Sequence, residues 1–138
     1  MSDTLSQELL SANYVSFATY KRSGDAVWTP VWAAPQQRSL FVFSEATAGK
    51  AKRLRNFSRA NVAPCTAWGK ITGNRYAAEA FLLDGKDDKA EIELAYKALH
   101  KKYGLMMRAT DMLSKLSGKY DKRVLIRIDV GEQLAADA

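Results

Sequence analysis

The chain has 138 residues, 47% of them apolar, which suffices for one domain whose core needs neither metals nor disulfides. A single cysteine, Cys65, excludes an intrachain disulfide framework and fits a reducing, cytoplasmic setting. No run approaches the ~18 consecutive apolar residues of a membrane span, the N-terminus MSDTLSQELLSANYV has no leader pattern, and a net charge of +6 is compatible with nucleic acid, an acidic membrane surface or a phosphorylated small ligand.

Residues 4–12 read as a short helix, with Thr4 as its cap and Leu5, Leu9 and Ala12 on one face. The periodicity then switches to two, and residues 13–20 read as a strand with Val15, Phe17 and Thr19 facing one way. Ser23-Gly24-Asp25 signals a turn into a second strand, AVWTPVWAA. Pro30 removes a ladder donor from that strand, which puts it at a sheet edge or on a bulge. A turn at 36–39 leads to a buried strand at 40–44. The basic segment TAGKAKRLRNFSR follows, helical over 48–58. Strands at 62–68 and 76–83 flank a turn at 69–74. Asp88 and Glu91 open a longer helix in the manner of a capping box, and Ile92, Ala95, Tyr96, Leu99 and Tyr103 form its apolar face. Gly104 ends it, and MMRATDMLSKLSG holds one more short helical piece. The last strand, 124–130, turns Val124, Ile126, Ile128 and Val130 inward.

No repeat, low-complexity tract or linker interrupts this order, so a single domain spans residues 1–138. Short hairpin links mean antiparallel pairing, and six strands of this length close into a small barrel that hides their edges. The fold class is mainly β with helices (α+β), as a six-stranded antiparallel barrel. Helices are missing between most strands, which excludes a doubly wound parallel sheet.

On a helical wheel of the basic segment, Ala51, Leu54 and Phe57 share a face that packs on the barrel, while Lys52 and Arg59 are solvated. Lys50 falls near the middle of the core-facing side and Arg53 at its border. An uncompensated buried ammonium is costly, so Lys50 either snorkels to water or meets an anion. The helix N-terminus adds free N–H groups, Thr47 and Gly49 a hydroxyl and an open backbone, and Ser44 a further donor. A phosphate held by Ser44, Thr47 and Lys50 satisfies these groups together; a solvated basic helix is the alternative.

The run Gly49-Lys50-Ala51-Lys52-Arg53-Leu54-Arg55-Asn56, with Asn61-Val62-Ala63-Pro64-Cys65 after it, resembles the pyridoxamine 5'-phosphate oxidase-like superfamily. More narrowly, it is similar to the flavin/deazaflavin oxidoreductase B group, whose members are labelled coenzyme F-420-dependent enzymes. The stretch Ala26-Val27-Trp28-Thr29-Pro30-Val31-Trp32 matches that group's second-strand pattern, and the likeness covers about residues 12–130. It implies a split β-barrel homodimer of the FMN-binding-protein type, with FMN or coenzyme F-420 in clefts at the subunit interface. Carried over by position, Lys50 binds the cofactor's phosphate, with Thr47, Ser44 and Thr29 as hydroxyl donors and Arg53 as a second cation. Trp32 lies on the strand that lines the isoalloxazine or deazaflavin ring. The activity implied is hydride transfer between that cofactor and a small organic acceptor. A non-catalytic flavin or haem carrier is the alternative.

No catalytic side-chain set accompanies these residues, as expected where a cofactor carries the hydride and the protein binds, orients and shields it. Nothing forms a Ser–His–Asp or Cys–His arrangement, and no partner for His100 stands at metal-ligand spacing. Trp28, Trp32 and Trp68 are either ring-stacking groups or core fillers. Cys65 reads as a packed small hydrophobe, and Lys101-Lys102 and the 119–123 stretch as solvated charge. A nucleic-acid module is disfavoured, because aromatics do not interleave the basic run. Dimerisation has its own argument: a small barrel encloses little volume for a flavin-sized ring, so a second subunit is the natural other wall.

Overall fold

The computed structural model describes residues 5–118 and 122–135. After α1 (Gln7–Ser11) the chain runs through β1 (Tyr14–Tyr20), β2 (Ala26–Val31), β3 (Ala34–Gln36) and β4 (Ser39–Glu45). Helix α2 (Gly49–Leu54) leads to β5 (Arg59–Cys65) and β6 (Tyr76–Leu82). The chain then forms α3 (Lys89–Tyr103), α4 (Leu105–Leu116) and β7 (Arg123–Gln133). The strands make one antiparallel sheet of seven, in the order β2-β1-β5-β6-β7-β4-β3.

The expected six strands become seven because the second one breaks. It stops at Val31 and resumes at Ala34 as β3. Within the sheet β2 pairs with β1 alone and β3 with β4 alone, so both are edges. Yet the two edges are consecutive in the chain, and three residue steps span at most ~11 Å. The sheet therefore curls until its edges meet without a ladder between them, which is a split barrel. Pro30 lies on the β2 edge, opposite Ser16, where its missing N–H interrupts no interior ladder.

Helix α3 supplies what the split lacks. The Ala33 amide donates to the Tyr103 hydroxyl (2.9 Å), which donates in turn to the Asn13 carbonyl (2.8 Å). Lys102 Nζ donates to the carbonyls of Ala33 (2.6 Å) and Ala12 (2.7 Å). Backbone groups freed by the break are thus satisfied by two adjacent side chains of one helix. Lys102 is not the solvated charge its sequence context suggests. It is half-buried, and burial pushes its ammonium down to about 8. Arg123 is not solvated either, since it donates to Asp111 at 2.7 Å beneath α4. Residues 119–121 of the same stretch, like the expected cap Thr4, lie outside the described residues.

Strand alternation sorts two cores. Inside the barrel are Val15, Phe17, Leu40, Val42, Val62, Ile126 and Ile128, all at most 1% exposed. On the outer face of β4 and β7, Phe41 and Leu125 pack under Ala95, Leu99 and Tyr103 of α3 and Met107 of α4. Trp32 joins this second core, stacked on the Tyr103 ring at 4.7 Å.

Local signals fail where tertiary partners compete. Helix α2 ends at Leu54, well short of residue 58, because the Ser58 carbonyl already accepts from Ala80 N–H (2.7 Å) and commits the chain to the sheet. Phe57, expected on the barrel, is consequently 42% exposed. Asp88 precedes α3, but its carboxylate accepts from the Asp84 amide at 2.7 Å. Glu91 faces Arg127 instead of completing a capping box (3.1 Å). Strand β5 ends at Cys65, and Trp68 is left 95% exposed on the turn closed by Gly69.

Glu8 of α1 ties that helix to the β5–β6 loop, accepting from the Asn74 amide (3.2 Å), the Asn74 side chain (3.0 Å) and the Tyr76 hydroxyl. Burial pushes its carboxyl up, but the hydrogen bonds from Tyr76 and Asn74 outweigh it and hold the group below 4.5. A carboxyl with a depressed folded-state pKa stabilises above its unfolded value and loses that contribution as pH falls through the folded one. Melting temperatures of wild type and Glu8→Gln are therefore expected to differ at pH 6 and to converge below pH 4. A gap that stays constant across that range would assign the effect to packing.

Candidate functional site

The first turn of α2 and the far end of β1 bring two cations together. Lys50 and Arg53 are three residues apart, hence on one side of the helix. Arg53 Nε donates to Thr19 Oγ1 at 2.6 Å. Its guanidinium also lies over Gly49, where a Cβ would come within 2.7 Å of Nη1. A side chain there would only have to push aside the flexible end of Arg53. Burial, and then the neighbouring Arg53 charge, push the Lys50 ammonium below its ordinary 10.5. Among the described residues no carboxylate pairs with either cation. Two like charges held together at a half-buried spot make a place for an anion.

The other expected phosphate donors are only partly gathered here. Ser44 shares the barrel-facing side of β4 with Leu40 and Val42, and its hydroxyl donates to the Glu45 carbonyl at 3.3 Å. Thr47 is exposed ahead of α2 and caps nothing, since the residue at the cap is Ala48. With six residues, α2 is too short for its dipole to carry an anion. The positive charge at this spot is that of the Lys50 and Arg53 side chains.

Thr29 is a separate finding. Its hydroxyl is buried and has no hydrogen-bond partner, an arrangement that costs about 1–3 kcal/mol unless something fills it. Register puts it on the barrel-facing side of β2, opposite Phe17 and two residues from Val27, which faces Thr19. The step from the rung that Arg53 reaches is therefore roughly 7 Å along the strand. Trp32 follows the other end of β2, where Val31 faces Val15, about four residue rises or ~13 Å from that rung. Its ring is turned into the α3 core, so only its backbone borders the barrel opening.

Thr19 was not legible as a site residue, although a threonine on the otherwise apolar face of Val15 and Phe17 is the signal that could have found it. A separate cleft of about 220 Å³ is lined by Tyr20, Lys21, Arg22, Gly24, Phe57 and Arg59; Tyr20 and Arg59 lie on the sheet face opposite Thr19. The Arg59 guanidinium stacks 4.2 Å from the centre of the Tyr20 ring. His100 sits elsewhere, 3.0 Å from Asp111 between α3 and α4. Cys65 is buried, and burial raises its thiol, which makes it inert packing. No cluster of His, Cys, Asp and Glu able to hold a metal occurs among the described residues. No helix among them is long and apolar enough to cross a membrane.

No protein-family profile matches the chain, and no curated protein matches it in sequence. Solved structures do. An FAD-binding protein from Mesorhizobium loti superposes with a TM-score of 0.60 at 15% identity, over 92% of this chain and 85% of that one. A candidate pyridoxamine 5'-phosphate oxidase from Listeria innocua gives 0.56 at 12% identity, covering 95% and 94%. The haem storage protein HutZ from Vibrio cholerae gives 0.59 at 14% identity, covering 91% and 87%. At such identities the likeness speaks for the fold alone: this chain has the split-barrel fold shared by these flavin- and haem-binding proteins.

Proposed function

We propose that this protein binds a phosphate-bearing flavin, either FMN or the deazaflavin coenzyme F-420, as a homodimer, and serves as an oxidoreductase toward a small organic acceptor. One observation carries the reading: Lys50 and Arg53 converge without a counter-ion, on the side of the barrel where the Thr29 hydroxyl is buried without a partner. Lys50 and Arg53 would hold the phosphate, Thr29 would donate to or accept from the ligand, and Ser44 and Thr47 border the entry. The Val15–Val31 rung that precedes Trp32 lies ~13 Å along the strands from the Thr19 rung that Arg53 reaches, a separation that suits an extended flavin mononucleotide with its ring at the split and its phosphate at α2. A bound flavin supplies the hydride chemistry. The chain's own residues anchor the phosphate, set the ring against the opening and keep water from one face.

A carrier role is the second reading, favoured by the fold shared with the haem storage protein HutZ. For haem, the one histidine of the chain, His100, is held by Asp111 away from the cations, which favours a flavin over a haem.

The test is titration of the purified protein with FMN, coenzyme F-420 and haemin, followed by flavin fluorescence and haem absorbance. Saturable binding of FMN or F-420, followed by turnover of a quinone or nitro-aromatic acceptor, is the expected result. Binding without turnover of any acceptor favours the carrier. Failure of both flavins to bind removes the proposal.

A further inference from the structure

Helix α4 is amphipathic in the wrong sense for a monomer. Its inward stripe holds Met107, which is fully buried, with Thr110, Asp111 and Ser114 beside it. Asp111 is spent on Arg123 and His100. The large apolar residues point the other way. Leu105, Met106, Met112, Leu113 and Leu116 are exposed by between 54% and 80%. An apolar stripe this continuous on a surface helix marks an interaction site.

We infer that this stripe pairs with α4 of a second copy, antiparallel about a two-fold axis that passes between Ala109 and Met112. The inference rests on the homodimer proposed above and names the surface that makes it. Leu105, Ala109, Met112 and Leu116 follow one another in steps of four, three and four residues, the seam spacing of paired helices. The series also reads correctly when reversed. An antiparallel copy puts Leu105 against Leu116 and the small Ala109 against the large Met112, twice over, as an isologous interface requires. Met106 and Leu113 flank the seam on one side. The five large side chains expose roughly 600 Å² per copy, against about 800 Å² per partner in a standard stable interface. The stems of Arg108 and Lys115, both exposed, border the other flank and add to that area.

An anionic lipid surface is the competing occupant, and the charge pattern argues against it. The cations Arg108 and Lys115 line one flank of the stripe only, and no aromatic residue lies on α4 to seat at a headgroup boundary. In the helix pair Arg108 of one copy lies across from Lys115 of the other. That contact is mildly repulsive and solvent-exposed, so salt screens it. Added salt is therefore expected to tighten the pair, the opposite of its effect on binding to anionic lipid.

The test is sedimentation velocity on the full chain, wild type and Leu105→Glu/Leu116→Glu, with circular dichroism as the fold control. Both positions are about four-fifths exposed, so the substitutions leave the fold intact. The expected result is a wild-type dimer, tighter at 0.5 M than at 0.05 M sodium chloride, and a folded monomeric variant. Mixing Leu105→Cys with Leu116→Cys protein under oxidation should give disulfide-linked dimers, whereas either alone should not, since like positions lie ~16 Å apart along the antiparallel pair. A wild-type dimer that survives the double glutamate substitution, or that cross-links through like positions, overturns the α4 pairing while the homodimer reading stands. A monomeric wild type overturns both. In that case, binding of wild type but not the variant to phosphatidylglycerol vesicles would transfer the stripe to lipid.

Discussion

The Lys50→Ala variant is expected to bind FMN at least tenfold more weakly than wild type, a loss of about 1.4 kcal/mol or more, while riboflavin binds both proteins alike. The expectation follows from the electrostatics of the site. Lys50 is half-buried beside Arg53, and both burial and that neighbouring charge depress its ammonium. A phosphate placed between the two cations relieves the repulsion and restores a counter-charge to a group that otherwise has none. A hydrogen bond to a charged group is worth about 1.5–3 kcal/mol, so losing the ammonium removes a large part of the phosphate's anchorage. Arg53→Ala should have a smaller effect on affinity, since the Arg53 guanidinium is partly committed to Thr19 at 2.6 Å. Fluorescence titration of the three proteins with FMN and riboflavin makes the measurement. An equal loss for both ligands would locate the effect at the ring or in the fold. Unchanged FMN binding would move the phosphate away from α2.

Tyr103→Phe should lower stability by about 1–3 kcal/mol without disturbing the core around it. Phenylalanine keeps the ring that stacks on Trp32 at 4.7 Å, so the substitution isolates the hydroxyl. That hydroxyl accepts from Ala33 N–H and donates to Asn13, and Ala33 is fully buried. Without it the Ala33 amide has no acceptor and no route to water, whereas the Ala33 carbonyl keeps Lys102. The same burial pushes the phenol up to about 12, so the group stays neutral as a donor throughout the physiological range. Thermal unfolding is the measurement, with an expected drop of roughly 3–10 °C for a chain of this length. Because the hydroxyl closes the split between β2 and β3, the variant should also show faster amide exchange at Ala33 and its neighbours, while exchange in β5 and β6 is unchanged. Uniform loss of protection across the sheet would count against a local role.

Much of the architecture was legible along the chain. Period-two stretches marked the barrel strands and put Val15 and Phe17, and later Ile126 and Ile128, in its interior. The 3.6-residue pattern from Ile92 to Tyr103 marked the buried side of α3, and Gly104 its end. These signals are local, since side-chain periodicity is set by the backbone of each element and one buried face. Lys50 and Arg53 were legible for the same reason, as cations falling on the packed side of a short helix.

Only the tertiary structure decided the rest. The break at Trp32 and Ala33 leaves no mark in AVWTPVWAA, because the break is stable only where Tyr103 and Lys102, some seventy residues away, satisfy the freed backbone. The length of α2 was set by the Ser58 carbonyl joining β6, and the anchor of the β5–β6 loop by Glu8 of α1. Thr19 became part of the site because strand β1 passes under α2. The outward direction of the α4 stripe was equally hidden, since periodicity says that a helix has an apolar face and not which way it turns. Here Asp111 decided it, drawn inward to Arg123 and His100 and carrying the leucines and methionines to the surface.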